Sequence, residues 1–495
     1  MHFIAPKDHT RRAFLRRSAQ LAFTGAALPT ALNLAAMGEA AAFNATDYKA
    51  LVCVFLNGGN DHWNTVVPYD NTNYDLYSAI RGGGGGRTAG GIALSQAALS
   101  NTLLSPLAPL AGSRQYALHP SMTGLAGLFN TGKAAVQLNV GPLVVPVTKA
   151  QYQGSNRALY PLPPKLFSHN DQQSIWQSSS PEGSTIGWGG NIGDLALSSN
   201  GSGSLFTCIS ITGNAVFLSG DQALSYQVST RGAVKINSVS EDVYGSAAIK
   251  TAMRDLVQQA RSDVLENEYN RVTSRSISAE STVNSGIGAT AAAATANSGA
   301  FAPFAAVAAN NTLASQLKMA ARLIAARGSL STKRQVFFVS LGGFDLHDNL
   351  LAGHVTNMTR VSEAMTAFYQ TTFNLGVSKE VTAFTASDFG RTLTSNGDGS
   401  DHGWGAHHFV VGEAVKGQTF YGTPPPVSVG NGAGAEDQWH VGQGRLVPSA
   451  SVDQYAATLA RWFGVEDTEL RGILPNLGNF GGTAAVNYPI NLGFL

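Results

Sequence analysis

Carboxylate and imidazole side chains occur together in several glycine-rich stretches of this chain, and their chemistry is that of metal binding. Nine of the eleven histidines lie beyond residue 42. The densest groups are Asp345 with His347, and the segment 401–408 with its Asp and three His residues. Carboxylate plus imidazole suits zinc, iron or manganese, whereas carboxylate and carbonyl oxygens alone suit calcium or magnesium. The composition of these groups therefore predicts a divalent-metal site for zinc, manganese or iron, or for calcium if only oxygen ligands bind; whether it holds one or two ions is open at this point.

A purely structural interpretation of each group is also available. Asp and Asn favour turns because their side chains hydrogen-bond the nearby backbone, and Asp-His pairs are common in loops. Any single group could therefore cap a helix or connect two loops. The position of several such groups next to predicted strand ends favours a shared site.

Three apolar runs with β-branched residues predict the buried strands that position these groups, at 50–56, 335–341 and 381–386. Each run leads into a polar loop that carries an aspartate; these are Asp61, Asp345 and Asp388. Helical patterns lie between the strands, at 247–272, 313–326 and 361–373. Strands that alternate with helices indicate an α/β fold with a mainly parallel sheet, in which ligand sites lie outside the carboxyl ends of the strands. We therefore expect the three aspartates to lie close together.

The pattern of strands also bears on the domain organisation. Residues 276–312 are rich in Ser, Ala, Thr, Gly and Asn, which predicts a mobile loop or a loosely packed helical insertion. Because strand-loop-aspartate units lie on both sides of this segment, we expect residues 43–495 to form one domain with an insertion. The glycines of 81–90 follow no phosphate-binding pattern, and no chemistry is assigned to them.

The amino terminus has the layout of an export signal. Arg11 and Arg12 directly precede a stretch from Ser18 to Gly38 without charged residues. This pattern resembles a twin-arginine signal peptide over residues 1–42, with small residues before a cleavage point near Phe43. We expect a periplasmic or secreted protein that meets the twin-arginine translocase during export. The apolar stretch is too moderate for a stable membrane span; an uncleaved anchor is the alternative.

Charge and cysteine content narrow the functional classes. Residues 1–42 hold five of the 32 Lys and Arg and two of the 31 Asp and Glu, so 27 basic and 29 acidic residues remain. A net charge of −2 gives no reason to expect nucleic-acid binding. The two cysteines, Cys53 and Cys208, lie in apolar runs that read as strands. They are either buried free thiols or joined in a single disulfide, and the sequence does not distinguish these alternatives.

The ordered motifs of the chain resemble those of an exported bacterial family known as domain of unknown function 1501. The resemblance covers nearly the whole chain after residue 42 and rests on segments 56–68, 118–120, 168–173, 342–347, 387–392, 401–403 and 452–464. That family is placed, by similarity, in the alkaline-phosphatase-like superfamily of metal-dependent phosphatases, sulfatases and phosphomutases. The resemblance implies an alkaline-phosphatase-like fold, with a mainly parallel central sheet flanked by helices on both faces.

The resemblance also implies roles for individual residues. The implied metal ligands are Asp61, Asp345, His347, Asp388 and His402. The implied nucleophile is Ser168, with Thr65 as a rival, and the implied substrate-binding residues are Asn60, Asn64, His169, Arg391 and His407. In such a site metal ions neutralise an oxyanion and lower the pKa of the nucleophile, while an arginine binds two oxygens at once.

This chain departs from the superfamily pattern at two positions. Phe389 follows Asp388 where a histidine is expected, and the histidine after Asp345 comes two residues later rather than four, with Asn349 at the farther position. These departures leave open a single-metal enzyme, an altered chemistry or a site that binds without turnover.

Three functional hypotheses result from these observations. The first is an exported metal-dependent hydrolase that acts on a phosphate or sulfate ester, either a small molecule or a polymer. The second is an exported binding or assembly protein that keeps the fold, with or without a metal, and has no catalysis. The third is a carbohydrate-binding protein, which rests only on aromatic residues such as Trp176, Trp188, Trp404 and Trp439.

Overall fold

The computed structural model of the protein describes residues 45–82, 90–482 and 488–495. The signal peptide predicted for residues 1–42, and most of the glycine-rich segment, lie outside these residues. No helix within the described residues has both the length and the apolar character needed to cross a membrane.

A mixed sheet of nine strands lies at the centre of the described structure. In chain order the strands are β1 (Lys49–Leu56), β2 (Val66–Pro68), β3 (Tyr116–Leu118), β4 (Ala134–Gly141), β5 (Cys208–Ser210), β6 (Ser225–Gln227), β7 (Arg334–Leu341), β8 (Val381–Ser387), β9 (Ala406–Val411), β10 (Phe420–Tyr421) and β11 (Ala450–Ser451). The sheet has the order β10-β4-β9-β8-β1-β7-β5-β6, with β11 beside β4, while β2 and β3 form a separate pair.

Most neighbouring strands of the sheet are parallel. Strand β1 pairs in parallel with β7 and with β8, and only β9 runs against its two neighbours, β8 and β4. The carboxyl ends of β8, β1 and β7 therefore meet at one edge, and the chain enters β9 from that same edge. The predicted α/β fold with a mostly parallel sheet is confirmed.

Helices cover both faces of this sheet. They are α1 (His62–Thr65), α2 (Asn71–Ile80), α3 (Gln96–Leu99), α4 (Thr123–Asn130), α5 (Lys149–Gln153), α6 (His169–Ser178), α7 (Trp188–Asn200), α8 (Asn237–Ser240), α9 (Ala247–Gln258), α10 (Val264–Gly288), α11 (Ala291–Thr295), α12 (Thr312–Ala325), α13 (Leu350–Asn374), α14 (Val452–Phe463) and α15 (Asp467–Ile473). Alternate residues of β1 belong to two separate apolar cores, because successive side chains of a strand point to opposite faces. One core packs against α4, α12 and α13, and the other against α7, α14 and α15.

The predicted elements agree with the structure to different degrees. The three predicted strands correspond to β1, β7 and β8, and the two later helical patterns fall on α12 and α13. The helical pattern predicted over 247–272 falls on two helices, α9 and the start of α10, because the chain leaves α9 at Gln259 in an extended conformation. A new helix, α10, then begins after Asp263, whose carboxylate accepts hydrogen bonds from the first turn.

The insertion and the apolar side chains also differ from expectation. The segment 276–312 is helical over most of its length, and it is anchored rather than loose because Ile287, Phe301 and Phe304 are buried in the first core. Cys53 and Cys208 are buried free thiols. Of the four tryptophans expected as sugar platforms, Trp176, Trp188 and Trp404 are buried, whereas Trp439 is half-buried.

Candidate metal centre

Four chain segments bring polar side chains to the carboxyl edge of the sheet. The loop after β7 carries Asp345 and His347, and Asp388 directly follows β8. His402 lies in the segment that leads into β9, and His169 is the first residue of α6. The sheet thus gathers side chains that lie more than 230 residues apart in the chain.

Three of these side chains form a compact group. One ligand atom each from His169, Asp345 and His402 lies within 4.8 Å of the others, and within the described residues this is the only set of three or more His, Cys, Asp or Glu side chains that meets that limit. Nε2 of His169 is 3.3 Å from Oδ2 of Asp345, and Nε2 of His402 is 3.2 Å from Oδ1. His347 is a fourth neighbour, with its Nε2 3.1 Å from Oδ1 of Asp345. We call these four residues the Asp345 cluster; it is open to solvent, since 45% of the Asp345 side chain is exposed.

Each imidazole of the Asp345 cluster has a separate partner for its other nitrogen. Nδ1 of His402 lies 2.7 Å from the carbonyl oxygen of Phe167, and because a carbonyl only accepts, this nitrogen carries the proton. Nδ1 of His169 lies 2.7 Å from Oδ2 of Asp388, and Nδ1 of His347 lies 3.4 Å from Oδ1 of Asp401. Histidines that bind metals in proteins have this arrangement, in which an outer acceptor fixes the ring and its tautomer.

The inward-facing nitrogens have few hydrogen-bond partners within the described residues. Nε2 of His347 lies 3.4 Å from Nη1 of Arg391, and Nε2 of His402 contacts only His347 and Asp345. Nε2 of His169 is buried and makes no hydrogen bond to the described residues. Nε2 of His347 and Nε2 of His402 are 2.9 Å apart, and the Phe167 carbonyl leaves a lone pair on Nε2 of His402. That lone pair can accept a hydrogen bond or bind a metal ion. The donor set of imidazole nitrogen and carboxylate oxygen fits zinc, iron or manganese better than calcium.

The charge states of the cluster follow from its surroundings. Burial lowers the pKa of His402 below its ordinary value, against the opposing effect of the Phe167 carbonyl, so this imidazole is neutral near pH 7. The hydrogen bond with Asp388 raises the pKa of His169, while burial opposes that rise. Partial burial acts to raise the pKa of Asp345, but Arg391 and the neighbouring imidazoles more than offset it, so the net shift is downward.

Asp388, expected as a metal ligand, lies behind the cluster rather than in it. Its buried carboxylate accepts from the Gly58 N–H at 3.1 and 3.2 Å and from Nε2 of Gln173 at 2.8 Å, in addition to the contact with His169. Gly58 has φ +115°, a conformation that favours glycine, and this explains part of the Gly-Gly motif after β1. The structure therefore gives Asp388 the geometry of an outer partner that orients His169.

Asp61, also expected as a metal ligand, is not part of the group. Its carboxylate is bound by both terminal nitrogens of Arg81, at 3.0 and 2.7 Å. Both residues are buried, with exposures of 1% and 0%. Arg81 lies at the carboxyl end of α2, and it occupies both oxygens that a metal ion would need.

Arg391, expected to bind substrate, is buried and bonded within the protein. Its guanidinium donates to the carbonyl oxygens of Gly59 at 2.9 Å, Ser400 at 2.9 Å and Phe344 at 3.1 Å. It also donates to the Gly58 carbonyl and to the carboxylate of Asp345. All three nitrogens are therefore occupied, and the side chain connects the loops after β1 and β7 with the segment before β9.

The other expected substrate-binding and nucleophilic side chains divide into buried and accessible ones. Asn60, Asn64, Thr65 and His407 are buried. The Thr65 hydroxyl donates to the Asp61 carbonyl at 2.8 Å and accepts from Nδ2 of Asn60 at 3.0 Å.

The amide of Asn64 is likewise satisfied by buried neighbours, since it donates to the Ile92 carbonyl at 2.8 Å and accepts from the Tyr77 hydroxyl at 2.5 Å. Nδ1 of His407 accepts from the Asn139 N–H at 3.0 Å. Ser168, by contrast, is partly exposed beside His169, and its hydroxyl donates to Oδ2 of Asp171 at 3.0 Å.

Sequence reasoning missed the outer partners of the cluster and gave His169 a different role. Gln173 lies four residues after His169 in α6, and that spacing places both side chains on one helical face, so this partner had a detectable signal. The carbonyl of Phe167 had none, because it faces His402 through a backbone with φ +74°, which is uncommon for a bulky residue.

Fold and site together define a class: an α/β protein with a carboxylate-imidazole group at the carboxyl edge of a mostly parallel sheet. The chain belongs to the family described as "Protein of unknown function (DUF1501)", whose model matches residues 48–467. The matched region contains every residue of the Asp345 cluster. No curated protein matches the chain.

Proposed function

We propose that this protein is an exported, metal-dependent hydrolase of phosphate or sulfate esters. Its ion would be held by His169, Asp345 and His402, with His347 as a fourth donor. The observation that carries the proposal is the convergence of three Nε2 atoms on the Asp345 carboxylate, while each Nδ1 is held by an outer acceptor. Such a site offers mixed nitrogen and oxygen ligands at a solvent-accessible position.

The charge around the cluster supports an anionic substrate only when the ion is present. With neutral imidazoles, the carboxylates of Asp345, Asp388 and Asp401 face the guanidiniums of Arg391 and Arg445, which gives a local charge of about −1. A divalent ion changes that sum to about +1 and, when bound, withdraws charge from an ester oxygen. The likeness to the alkaline-phosphatase-like superfamily supports the same class of substrate, as fold-level analogy.

Ser168 is the nucleophile that we favour under this proposal. Its hydroxyl is partly exposed and lies next to a ligand, whereas the Thr65 hydroxyl is buried and already donates to a backbone carbonyl. The Ser168 hydroxyl donates a hydrogen bond to the Asp171 carboxylate, which holds this hydroxyl near the start of α6.

A second function, that of an exported binding or assembly protein, is favoured by one specific observation. The groups expected to hold the oxyanion, Arg391 and Asn64 among them, are satisfied by internal hydrogen bonds. If no other side chain donates to the oxyanion, such a site binds a metal without turning over an ester.

Export remains part of both proposals. The twin-arginine pattern of residues 1–42 serves proteins that fold before they cross the membrane, and a cluster assembled from four distant segments exists only in a folded chain. The double variant Arg11→Lys, Arg12→Lys should stay in the cytoplasm, which cell fractionation measures. If this variant is found in the periplasm, the twin-arginine route is contradicted.

The hydrolase is tested by metal analysis joined to an ester panel. Protein purified without chelators is compared with His402→Ala and with His440→Gln, a control for a buried histidine outside the cluster. We expect one ion per chain and turnover of an aryl phosphate, phosphodiester or sulfate in the wild type and the control, with both lost in His402→Ala. Bound metal without turnover on any ester supports the binding role. A wild type that takes up no supplied metal contradicts the hydrolase and leaves only a binding role without a metal.

A further inference from the structure

Arg445 contacts His402, a member of the Asp345 cluster, and Phe167, whose carbonyl accepts from that histidine. Its Nε donates to the carbonyl oxygen of His402 at 2.7 Å. Its guanidinium carbon lies 5.4 Å from the centroid of the Phe167 ring, and the carbonyl of Phe167 holds Nδ1 of His402. The arginine is therefore fixed beside a proposed metal ligand by a hydrogen bond and a cation-π contact.

The terminal nitrogens of Arg445 distinguish it from Arg391. The latter is fully buried, and its three nitrogens donate to main-chain and carboxylate oxygens. Arg445 is half-buried, and within the described part of the chain only its Nε donates a hydrogen bond. Up to four N–H groups of a positioned guanidinium remain to bind a ligand.

A guanidinium of this kind matches a tetrahedral oxyanion. Its planar fork donates two parallel hydrogen bonds to two oxygens of a phosphate or sulfate, and a fixed side chain loses little conformational freedom on binding. Lys165 is the rival cation at this edge, in the turn that precedes α6. Its side chain is 68% exposed and its Nζ lies 3.5 Å from Asp171 Oδ2. A highly exposed ammonium that only this ion pair holds is the weaker choice.

We propose that Arg445 binds the oxyanion of the substrate at the metal centre, the role that the sequence analysis gave to Arg391. The inference rests on the proposed metal centre, and it adds a substrate-binding residue that lies outside the segments on which the family resemblance was based. It places the anion between the guanidinium and the exposed side of the cluster.

The test is the binding of inorganic phosphate to the purified, metal-loaded protein, measured by isothermal titration calorimetry. Arg445→Gln should weaken phosphate binding at least tenfold, because it removes charge-assisted hydrogen bonds to the anion, while the metal content stays at the wild-type level. Arg445→Lys should recover part of the affinity. Lys165→Gln tests the rival, and Arg157→Gln is the control, since that arginine caps backbone carbonyls of Gln151 and Tyr152 elsewhere.

Four results would overturn the inference. These are phosphate affinity unchanged in Arg445→Gln, the main loss in Lys165→Gln, loss of the metal from Arg445→Gln, and a metal-loaded wild type that binds no phosphate. The third would show that Arg445 only positions His402. Phosphate binding needs no turnover, so a protein that binds phosphate through Arg445 yet cleaves no ester would support this inference while the hydrolase proposal fails.

Discussion

Asp61 and Asp345 follow neighbouring parallel strands and look alike in the sequence, yet they have opposite surroundings. Asp61 is buried against Arg81, with both carboxylate oxygens occupied. Asp345 is nearly half exposed and lies within 3.3 Å of three imidazoles. A strand end places a carboxylate at the edge of the sheet. The neighbouring side chains, which come from other parts of the chain, then determine whether that carboxylate is structural or available to a ligand.

The histidines show the same division. Burial lowers the pKa of His354, which lies beside Asn60 and Thr65, to about 3, so this ring is neutral and part of the packed interior. His169 faces the open cluster, where the hydrogen bond with Asp388 raises its pKa. One region holds its polar groups by satisfying them internally, and the other leaves three ring nitrogens directed at one carboxylate.

The largest effect should come from breaking the buried pair. Asp61→Ala leaves the Arg81 guanidinium buried without a partner, which costs about 3–5 kcal/mol of folding free energy. Chemical denaturation measures the loss, and the folded fraction should keep its metal. Asp242→Ala, which removes an exposed partner of Lys250, is the control and should change stability by no more than about 1 kcal/mol. An Asp61→Ala protein of normal stability that has lost its metal would reverse the comparison.

A smaller effect is expected from the outer partner of His169. Asp388→Asn keeps an acceptor for Nδ1 but weakens the hydrogen bond, and changes of this kind lower metal affinity about 10- to 100-fold. Competition with a chromogenic chelator measures the affinity. Asp401→Asn, which removes charge at the longer 3.4 Å contact with His347, should lose less. If Asp388→Asn binds no metal at all, as expected for His402→Ala, Asp388 belongs among the ligands instead.

The smallest effect concerns pH. The pKa of His354 is about 3 in the folded protein and about 6.5 in the unfolded chain. Below pH 6.5 the unfolded chain therefore binds a proton that the folded protein does not, and the free energy of unfolding falls as the pH falls towards 3. His354→Gln removes this contribution, so it should be close to wild type at pH 8 and gain relative stability below pH 6.5, by at most about 1.4 kcal/mol per pH unit. Urea unfolding of the wild type and of His354→Gln at pH 8, 6 and 5 gives the measurement. If the stability of both proteins changes equally with pH, the His354 ring is not held neutral by burial.

The sequence predicted the frame of the site because strand periodicity and the turn residues after each strand are local signals. Strands β1, β7 and β8 and the position of Asp345, His347 and Asp388 at one edge follow from them, whereas the role of His402 was implied by the family resemblance. The pairing of Asp61 with Arg81 could not be predicted in this way. The two residues are 20 positions apart, and nothing in the sequence near Arg81 indicates which carboxylate it binds. The Phe167 carbonyl was equally hidden, since a backbone oxygen has no sequence signature and φ +74° depends on tertiary packing.

Anomalous X-ray diffraction from crystals grown with the bound metal and without chelators shows whether the Asp345 cluster holds an ion. We predict one anomalous peak about 2.0–2.2 Å from Nε2 of His169, Nε2 of His402 and an oxygen of Asp345. A peak beside Asp61, or an Asp345 cluster that stays empty when zinc, iron and manganese are each supplied, would contradict the account.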